Sequence, residues 1–158
     1  MLTKEEIKTL RLQFWSEFED YSAKKKKRLR KPAKWIMNNT GIKQLKLKFD
    51  FNETRATVGI DVETRNLDKR IDVFGKLERL KTILETALGK PLIWELDFTL
   101  PTGKSISRAY LETPNVSIYQ KEDWPAVMEF FYKNMVIFEK VYEEYKDYLK
   151  YSEASEED

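Results

Sequence analysis

Lys43-Gln44-Leu45-Lys46-Leu47-Lys48-Phe49-Asp50-Phe51 and Arg55-Ala56-Thr57-Val58-Gly59-Ile60-Asp61-Val62-Glu63-Thr64 are the two runs that decide the fold. In the first, Leu45, Leu47, Phe49 and Phe51 alternate with Gln44, Lys46, Lys48 and Asp50. In the second, Ala56, Val58, Ile60 and Val62 alternate with Thr57, Gly59, Asp61 and Glu63. A period of two is the signature of a strand with one apolar face. The link Asn52-Glu53-Thr54 is short enough for a hairpin. Strands apolar on one face suit an antiparallel sheet covered on one side.

The flanking sequence supplies the cover. Thr3 and Glu6 have the spacing of a capping box. Ile7, Leu10, Phe14, Trp15, Phe18 and Tyr21 follow at helical spacing. Pro32 ends this helix or starts a short second one carrying Trp35, and Asn38-Asn39-Thr40-Gly41 reads as a turn. Beyond the hairpin, Asp68 is placed to cap a helix with Val73, Phe74, Leu77, Leu80, Leu84, Ala87 and Leu88 inward. Gly89 and Pro91 stop it. Three further strands are expected: Leu92–Thr99 with Trp94, Leu96 and Phe98 inward, Ser105–Leu111, and Asn115–Tyr119. Asp123 and Pro125 open a last helix, ending near Tyr151, with Val127, Phe130, Phe131, Phe138, Val141, Tyr142, Tyr145 and Leu149 as its stripe. The expectation is an α+β fold in the order α-ββ-α-βββ-α, with three helices on a mostly antiparallel meander of about five strands. Trp15, Trp94 and Phe131 are expected in one core.

The 158 residues suit one domain over 1–151, with an acidic, disordered tail over 152–158. Hydrophobic residues make up 41%, enough for a core without staples. No apolar run approaches a membrane span, and the N-terminus lacks a signal-peptide layout, so a cytoplasmic location is expected.

The chain has no histidine and no cysteine. That removes imidazole bases, Ser-His-Asp triads, thiolate nucleophiles and Cys/His zinc sites. Carboxylates, lysines, tyrosines and serines remain, with or without a hard metal. Metal-dependent phosphodiester cleavage of the restriction-nuclease kind needs an Asp and then an acidic-x-Lys on the next strand. The acidic-x-Lys triplets here, Glu6-Ile7-Lys8 and Glu144-Tyr145-Lys146, fall on expected helices. Asp61, Glu63, Glu95 and Asp97 fall on strands, each pair on one sheet face, and would converge if their strands were neighbours. The plainer reading is a solvated acidic face. Gly103-Lys104-Ser105 lacks the earlier glycine and the following helix of a phosphate loop. Ser22 and Lys25 have a Ser-x-x-Lys spacing, but nothing there would desolvate the lysine. No catalytic residue, metal or cofactor is assigned.

Charge is distributed unevenly. Residues 1–50 carry 14 Lys/Arg against 6 Asp/Glu, a net +8, and the remainder a net −6. Lys24, Lys25, Lys26, Lys27, Arg28, Arg30, Lys31 and Lys34 place eight cations in 11 residues. Such a run attracts phosphates by counterion release, and Trp35 beside it could stack on a base. The plainer reading is a solvated helix end favoured by the helix dipole. A second candidate is Arg108, between Ile106 and Tyr110 on one strand face. An arginine there must reach solvent or be paired. Asp61, Glu63, Glu95 and Asp97 are its possible partners, and Arg108 with Tyr110 could line a groove for an anion.

Several motifs together resemble a bacterial family catalogued as domain of unknown function 4268. They are Phe14-Trp15 with Phe18 and Tyr21, Trp35 before Thr40-Gly41-Ile42-Lys43, Leu92–Glu95 with Trp94, Ser107-Arg108-Ala109-Tyr110, and Asp123-Trp124-Pro125 with Phe130-Phe131 and Asn134-Met135. Ala109 departs from the larger aliphatic residue expected within the Ser-Arg-x-Tyr stretch. The family's domain stands alone or C-terminal to segments resembling restriction nucleases. The resemblance therefore implies, by neighbourhood, contact with nucleic acid or its processing enzymes. It carries over no catalytic residue. The expected function is a non-catalytic binding or accessory module for nucleic acid or a nucleic-acid-processing enzyme. The alternatives are a metal-dependent hydrolase using the strand carboxylates, and a protein-binding domain, such as a homodimer through the last helix.

Overall fold

The structure is a computed structural model that describes residues 1–28 and 44–154, with side chains described at 1–25 and 44–149. The expected stop at Pro32 and the turn at Asn38–Gly41 lie outside it, as do residues 155–158 of the tail. Residues 152–154 continue the last helix, three residues past its expected end near Tyr151.

Helix α1 (Lys4–Arg28) opens on the capping box. The Thr3 amide donates to Glu6 Oε1 at 3.0 Å, and the Glu6 amide donates to Thr3 Oγ1 at 3.1 Å. Strands β1 (Leu45–Phe51) and β2 (Arg55–Val62) form the hairpin, with Phe51 opposite Ala56 and Leu45 opposite Val62. Asn52 builds its turn: Oδ1 accepts the amides of Thr54 and Arg55, each at 2.9 Å.

Between the hairpins the one expected helix is two, α2 (Leu67–Arg79) and α3 (Lys81–Leu88). Leu80 breaks the ladder by donating its N–H to Leu77 O at 2.9 Å, with no glycine or proline to mark the bend. The cap of α2 is Asn66, whose side chain accepts from the Lys69 amide at 3.1 Å, and not Asp68. Asp68 lies inside the first turn, where it complements the helix dipole. Gly89 ends α3 at φ 74° with its N–H on Glu85 O.

Strands β3 (Ile93–Thr99) and β4 (Ser105–Pro114) make the second hairpin. The sheet order is β1-β2-β4-β3, antiparallel throughout. The expected meander is thus corrected. The second hairpin folds back so that its later strand meets β2 and β3 becomes an edge. The expected fifth strand, Asn115–Tyr119, is no strand. Asn115 turns at φ 60°, and the segment makes only two backbone bonds to the first hairpin's tip, from Val116 to Thr54 and from Ile118 to Asn52. A 3-10 turn at Lys121–Asp123 leads into α4 (Trp124–Ala154).

One hydrophobic core joins these elements. Leu45, Leu47, Phe51, Ala56, Val58, Ile60 and Val62 meet Phe14 and Phe18 of α1, Val73, Phe74 and Leu77 of α2, and Phe131, Met135 and Phe138 of α4. The α4 stripe faces this core. Phe131 is fully buried, whereas Trp15 and Trp94 are only partly so. Ala87 and Leu96, expected inward, are exposed. Among the described residues no helix is long and apolar enough to cross a membrane.

Gly59 sits at the centre of the sheet, opposite Tyr110. A Cβ there would lie 2.2 Å from Ala109 O and 2.7 Å from Tyr110 Cα. Both are backbone atoms of the neighbouring strand and cannot step aside without parting β2 from β4. Gly59→Ala is therefore expected to cost about 3 kcal/mol, the upper end of ordinary overpacking penalties. Urea unfolding checks this, and wild-type stability in the variant would show that the two strands are less tightly apposed.

Candidate functional site

The helices cover one face of the sheet, and alternation sends the other residues of each strand to the opposite face. There Lys46, Lys48 and Asp50 of β1 lie beside Asp61 and Thr57 of β2, which face Arg108 and Glu112 of β4. Cross-strand register makes the pairs. Asp61 stands opposite Arg108, and Arg108 opposite Glu95.

Arg108 donates from Nε to Asp61 Oδ1 at 2.7 Å and from a terminal nitrogen to Asp61 Oδ2 at 2.8 Å. The pair is bidentate, with Arg108 6% and Asp61 1% exposed. Burial pushes the Asp61 carboxyl above its ordinary pKa, against the two bonds from Arg108. The guanidinium also lies 4.1 Å from the centroid of the Phe98 ring. Tyr110 donates its hydroxyl to Glu95 Oε2 at 2.6 Å. Burial, then Glu95, raises the Tyr110 pKa. Arg55 pairs with Glu112 and lies 6.0 Å from the Tyr110 ring.

The four strand carboxylates do not converge. Strand β4 lies between β2 and β3 and places Arg108 between Asp61 and Glu95. Glu63 pairs with Lys104 at 3.3 Å and Lys46 at 3.6 Å. Asp97 pairs with Arg70 of α2 at 3.0 Å. Glu95 and Asp97 do not share a face as alternation alone requires. A β-bulge between Glu95 and Phe98 sets two residues against one and reverses the parity, so Phe98 falls on the Arg108 face. Among the described residues no group of three or more carboxylates is placed to hold a metal ion.

Arg70 was not legible as a site residue, although it sits on the inward stripe of α2 just before Val73 and Phe74. It is 5% exposed. It donates to Leu96 O and to Ser107 Oγ, the latter at 3.0 Å, and Ser107 Oγ donates to Leu96 O at 2.6 Å. The carbonyl freed by the bulge is thereby satisfied from the helix side.

Of the basic run, Lys24 is exposed and Lys25 half-buried. The Lys25 ammonium lies 5.0 Å from the Tyr21 ring centroid and 5.5 Å from that of Tyr132. Lys26, Lys27 and Arg28 belong to α1, and their side chains lie outside the described residues. Arg30, Lys31, Lys34 and Trp35 lie outside them altogether. Ser22 Oγ donates to Phe18 O at 2.8 Å, which turns the hydroxyl onto its own helix and away from a Ser-x-x-Lys role.

Among the hollows lined by described residues are two of similar size. One, of about 540 Å³, lies between α1 and the start of α4 and is lined by Glu17, Tyr21, Trp124 and Met128 among others. The other, of about 510 Å³, lies at one end of the sheet among Gln44, Glu63, Thr64, Arg65, Asn66, Lys69 and Lys104.

No curated protein and no solved structure matches the chain. A family model does, over residues 10–146, and that span includes both hairpins, α2, α3 and most of α1 and α4. The chain belongs to the family described as Domain of unknown function (DUF4268).

Proposed function

We infer that this domain is a non-catalytic binding module whose ligand is the phosphodiester backbone of nucleic acid. The observation that carries the reading is the continuity of α1. It stays helical through Arg28, so Lys24–Arg28 are five successive cations wound over more than one turn of a helix. A run of cations on a helix end attracts phosphates without reading sequence. Lys46 and Lys48 of the edge strand β1 add to it. The metal-dependent alternative would need its carboxylates together, and here a cation or a hydroxyl stands against each of them.

Fluorescence anisotropy with single- and double-stranded DNA and RNA, at low and moderate salt, tests the reading. Binding should weaken steeply with salt and vary little with sequence. Replacing Lys24, Lys27, Arg28 and Arg30 together by Gln should weaken it uniformly and flatten the salt slope by about 3 to 4, at about 0.9 for each phosphate left without its cation. Lys25→Gln alone should change little, because its ammonium is engaged by Tyr21 and Tyr132. A wild type that fails to bind below millimolar at low salt, or a quadruple variant that binds as well as wild type, would overturn the reading.

A further inference from the structure

We propose that Arg65, Lys69 and Lys104, around the hollow at the end of the sheet, form a second phosphate-contacting cluster on the same surface as the basic end of α1. The proposal rests on the nucleic-acid reading above and assigns three residues, of which the sequence marks only Lys104, in a Gly-Lys-Ser triplet without the rest of a phosphate loop.

Ring contacts fix where α1 ends relative to the sheet. Phe14 meets Phe51 at 4.8 Å and Phe18 meets Phe49 at 5.0 Å, so α1 and β1 run in opposite directions side by side. Four helical residues advance about 6 Å, and two strand residues nearly the same. Carrying both forward, the seven residues from Phe18 to Lys25 and the three from Phe49 to Lys46 each cover about 10 Å. Lys24 and Lys25 are therefore about level with Lys46, at the end of the sheet where β1 begins.

The hollow is at that same end. The Glu63 amide donates to Gln44 O at 2.7 Å, closing β1 on β2 there. Arg65 and Asn66 follow immediately, Lys69 sits in the first turn of α2, and Lys104 precedes β4. Lys46 and Lys104 both lean on Glu63, with side chains 42% and 49% exposed. Glu63 and Asp68 are the carboxylates within the cluster. Against them stand Lys46, Arg65, Lys69 and Lys104, with Lys24 and Lys25 of α1 at the same level along the sheet. The opposite end is balanced or acidic: the hairpin tip carries Glu53, Glu112 of β4 pairs with Arg55, and the 3-10 turn carries Glu122 and Asp123 against Lys121. The fold thus gathers cations from four separate segments at one end. A phosphate chain lying there would meet Arg65, Lys69 and Lys104 as well as the end of α1. Arg65 and Lys104 are exposed and Lys69 partly so, so contact needs no rearrangement of the core.

The test measures salt-dependent affinity for a short DNA duplex and for the matching single strand between about 50 and 200 mM salt. The variants are Arg65→Gln/Lys69→Gln/Lys104→Gln and, separately, Glu63→Gln. The triple variant should melt like wild type, flatten the slope by about 2 to 3, and weaken binding about tenfold or more at the lower salt. Glu63→Gln should strengthen binding several-fold by releasing Lys46 and Lys104, a gain that damage to the fold cannot imitate. Unchanged binding by the triple variant, with reduced binding in the α1 variant, overturns this proposal and leaves the broader reading intact. No binding by the wild type overturns both. Loss of sedimentation with anionic phosphatidylserine vesicles, with nucleic-acid binding unchanged, would move the cluster to a lipid role and overturn the proposal.

Discussion

Arg108→Met is expected to lose about 3–5 kcal/mol of folding stability, because it leaves the Asp61 carboxyl buried without the Arg108 charge and donors. Asp61 is 1% exposed, and its described partner is the Arg108 fork. A methionine fills much of the same volume, so the loss reports the stranded carboxylate and not a cavity. Arg108→Lys should also lose stability, because a single ammonium cannot reproduce two parallel N–H donors. Its cost should be smaller, of the order of the 1.5–3 kcal/mol of a charge-assisted hydrogen bond. Replacing both partners, Asp61→Val with Arg108→Met, should cost less than Arg108→Met alone, since apolar pairs often substitute for buried ion pairs without loss. Urea unfolding with an unchanged m-value checks the series. If Arg108→Met unfolds at the wild-type midpoint while its affinity for an anionic ligand disappears, the pair is a binding element and the structural account is wrong. In a protein of this size 3–5 kcal/mol is of the order of 10 °C in melting temperature, so the two outcomes are easily separated.

That an arginine at position 108 needs a partner was legible in the sequence, because Ile106 and Tyr110 bracket it on a strand with little polar company. The choice among four carboxylates was not. It depends on which strands are neighbours, and that depends on how the second hairpin returns after α3. Local pattern carries no information about that return. The order β1-β2-β4-β3 puts Asp61 opposite Arg108 and separates it from Glu95 and Asp97 by a whole strand. The bulge is a second non-local event. Trp94, Leu96 and Phe98 alternate cleanly with Glu95 and Asp97, so the sequence offers one parity, and the extra residue imposes two. Leu96, read as core, is 41% exposed in consequence.

Other features were visible for sound reasons. The hairpin Leu45–Val62 has both its alternation and its Asn52 turn written locally, and its bounds differ from expectation by only two residues at each outer end. The capping box at Thr3 and the left-handed stop at Gly89 are also local chemistry. Asn115–Tyr119 failed for the opposite reason. Val116 and Ile118 alternate like a strand, and Ile118 is fully buried, but the partner on offer is a hairpin tip with only two acceptors to give. Alternation shows which side chains turn inward. It does not show whether a neighbouring backbone exists to pair with. The cluster at Arg65, Lys69 and Lys104 has the same character, since no motif joins those residues in sequence and they meet only because β2, α2 and β4 begin or end at one place.

Phe131→Ala is the other large effect, with an expected loss of about 3–5 kcal/mol. The ring is fully buried at the centre of an aromatic cluster drawn from three elements. Its centroid is 4.9 Å from Phe49, 5.5 Å from Phe18, 5.9 Å from Trp15 and 6.1 Å from Phe14. The Trp15 ring is nearly parallel to it, at 6°. Removing the phenyl group takes away the side chain through which α4 meets α1 and β1 together. The surrounding rings are rigid and belong to different elements, so they cannot all close on the space, and a residual cavity adds to the transfer cost. Phe131→Leu keeps most of the volume and should lose a smaller part of the stability. Trp15 supplies an independent readout: half-buried and stacked on Phe131, it should gain access to water in the alanine variant and shift its emission to the red. A loss below about 1 kcal/mol would be far under the range for buried phenylalanines, and it would mean that α1 can slide into the gap. In that case the level at which the basic end of α1 meets the sheet would not be fixed by this cluster, and the gathering of cations at one end would need another support.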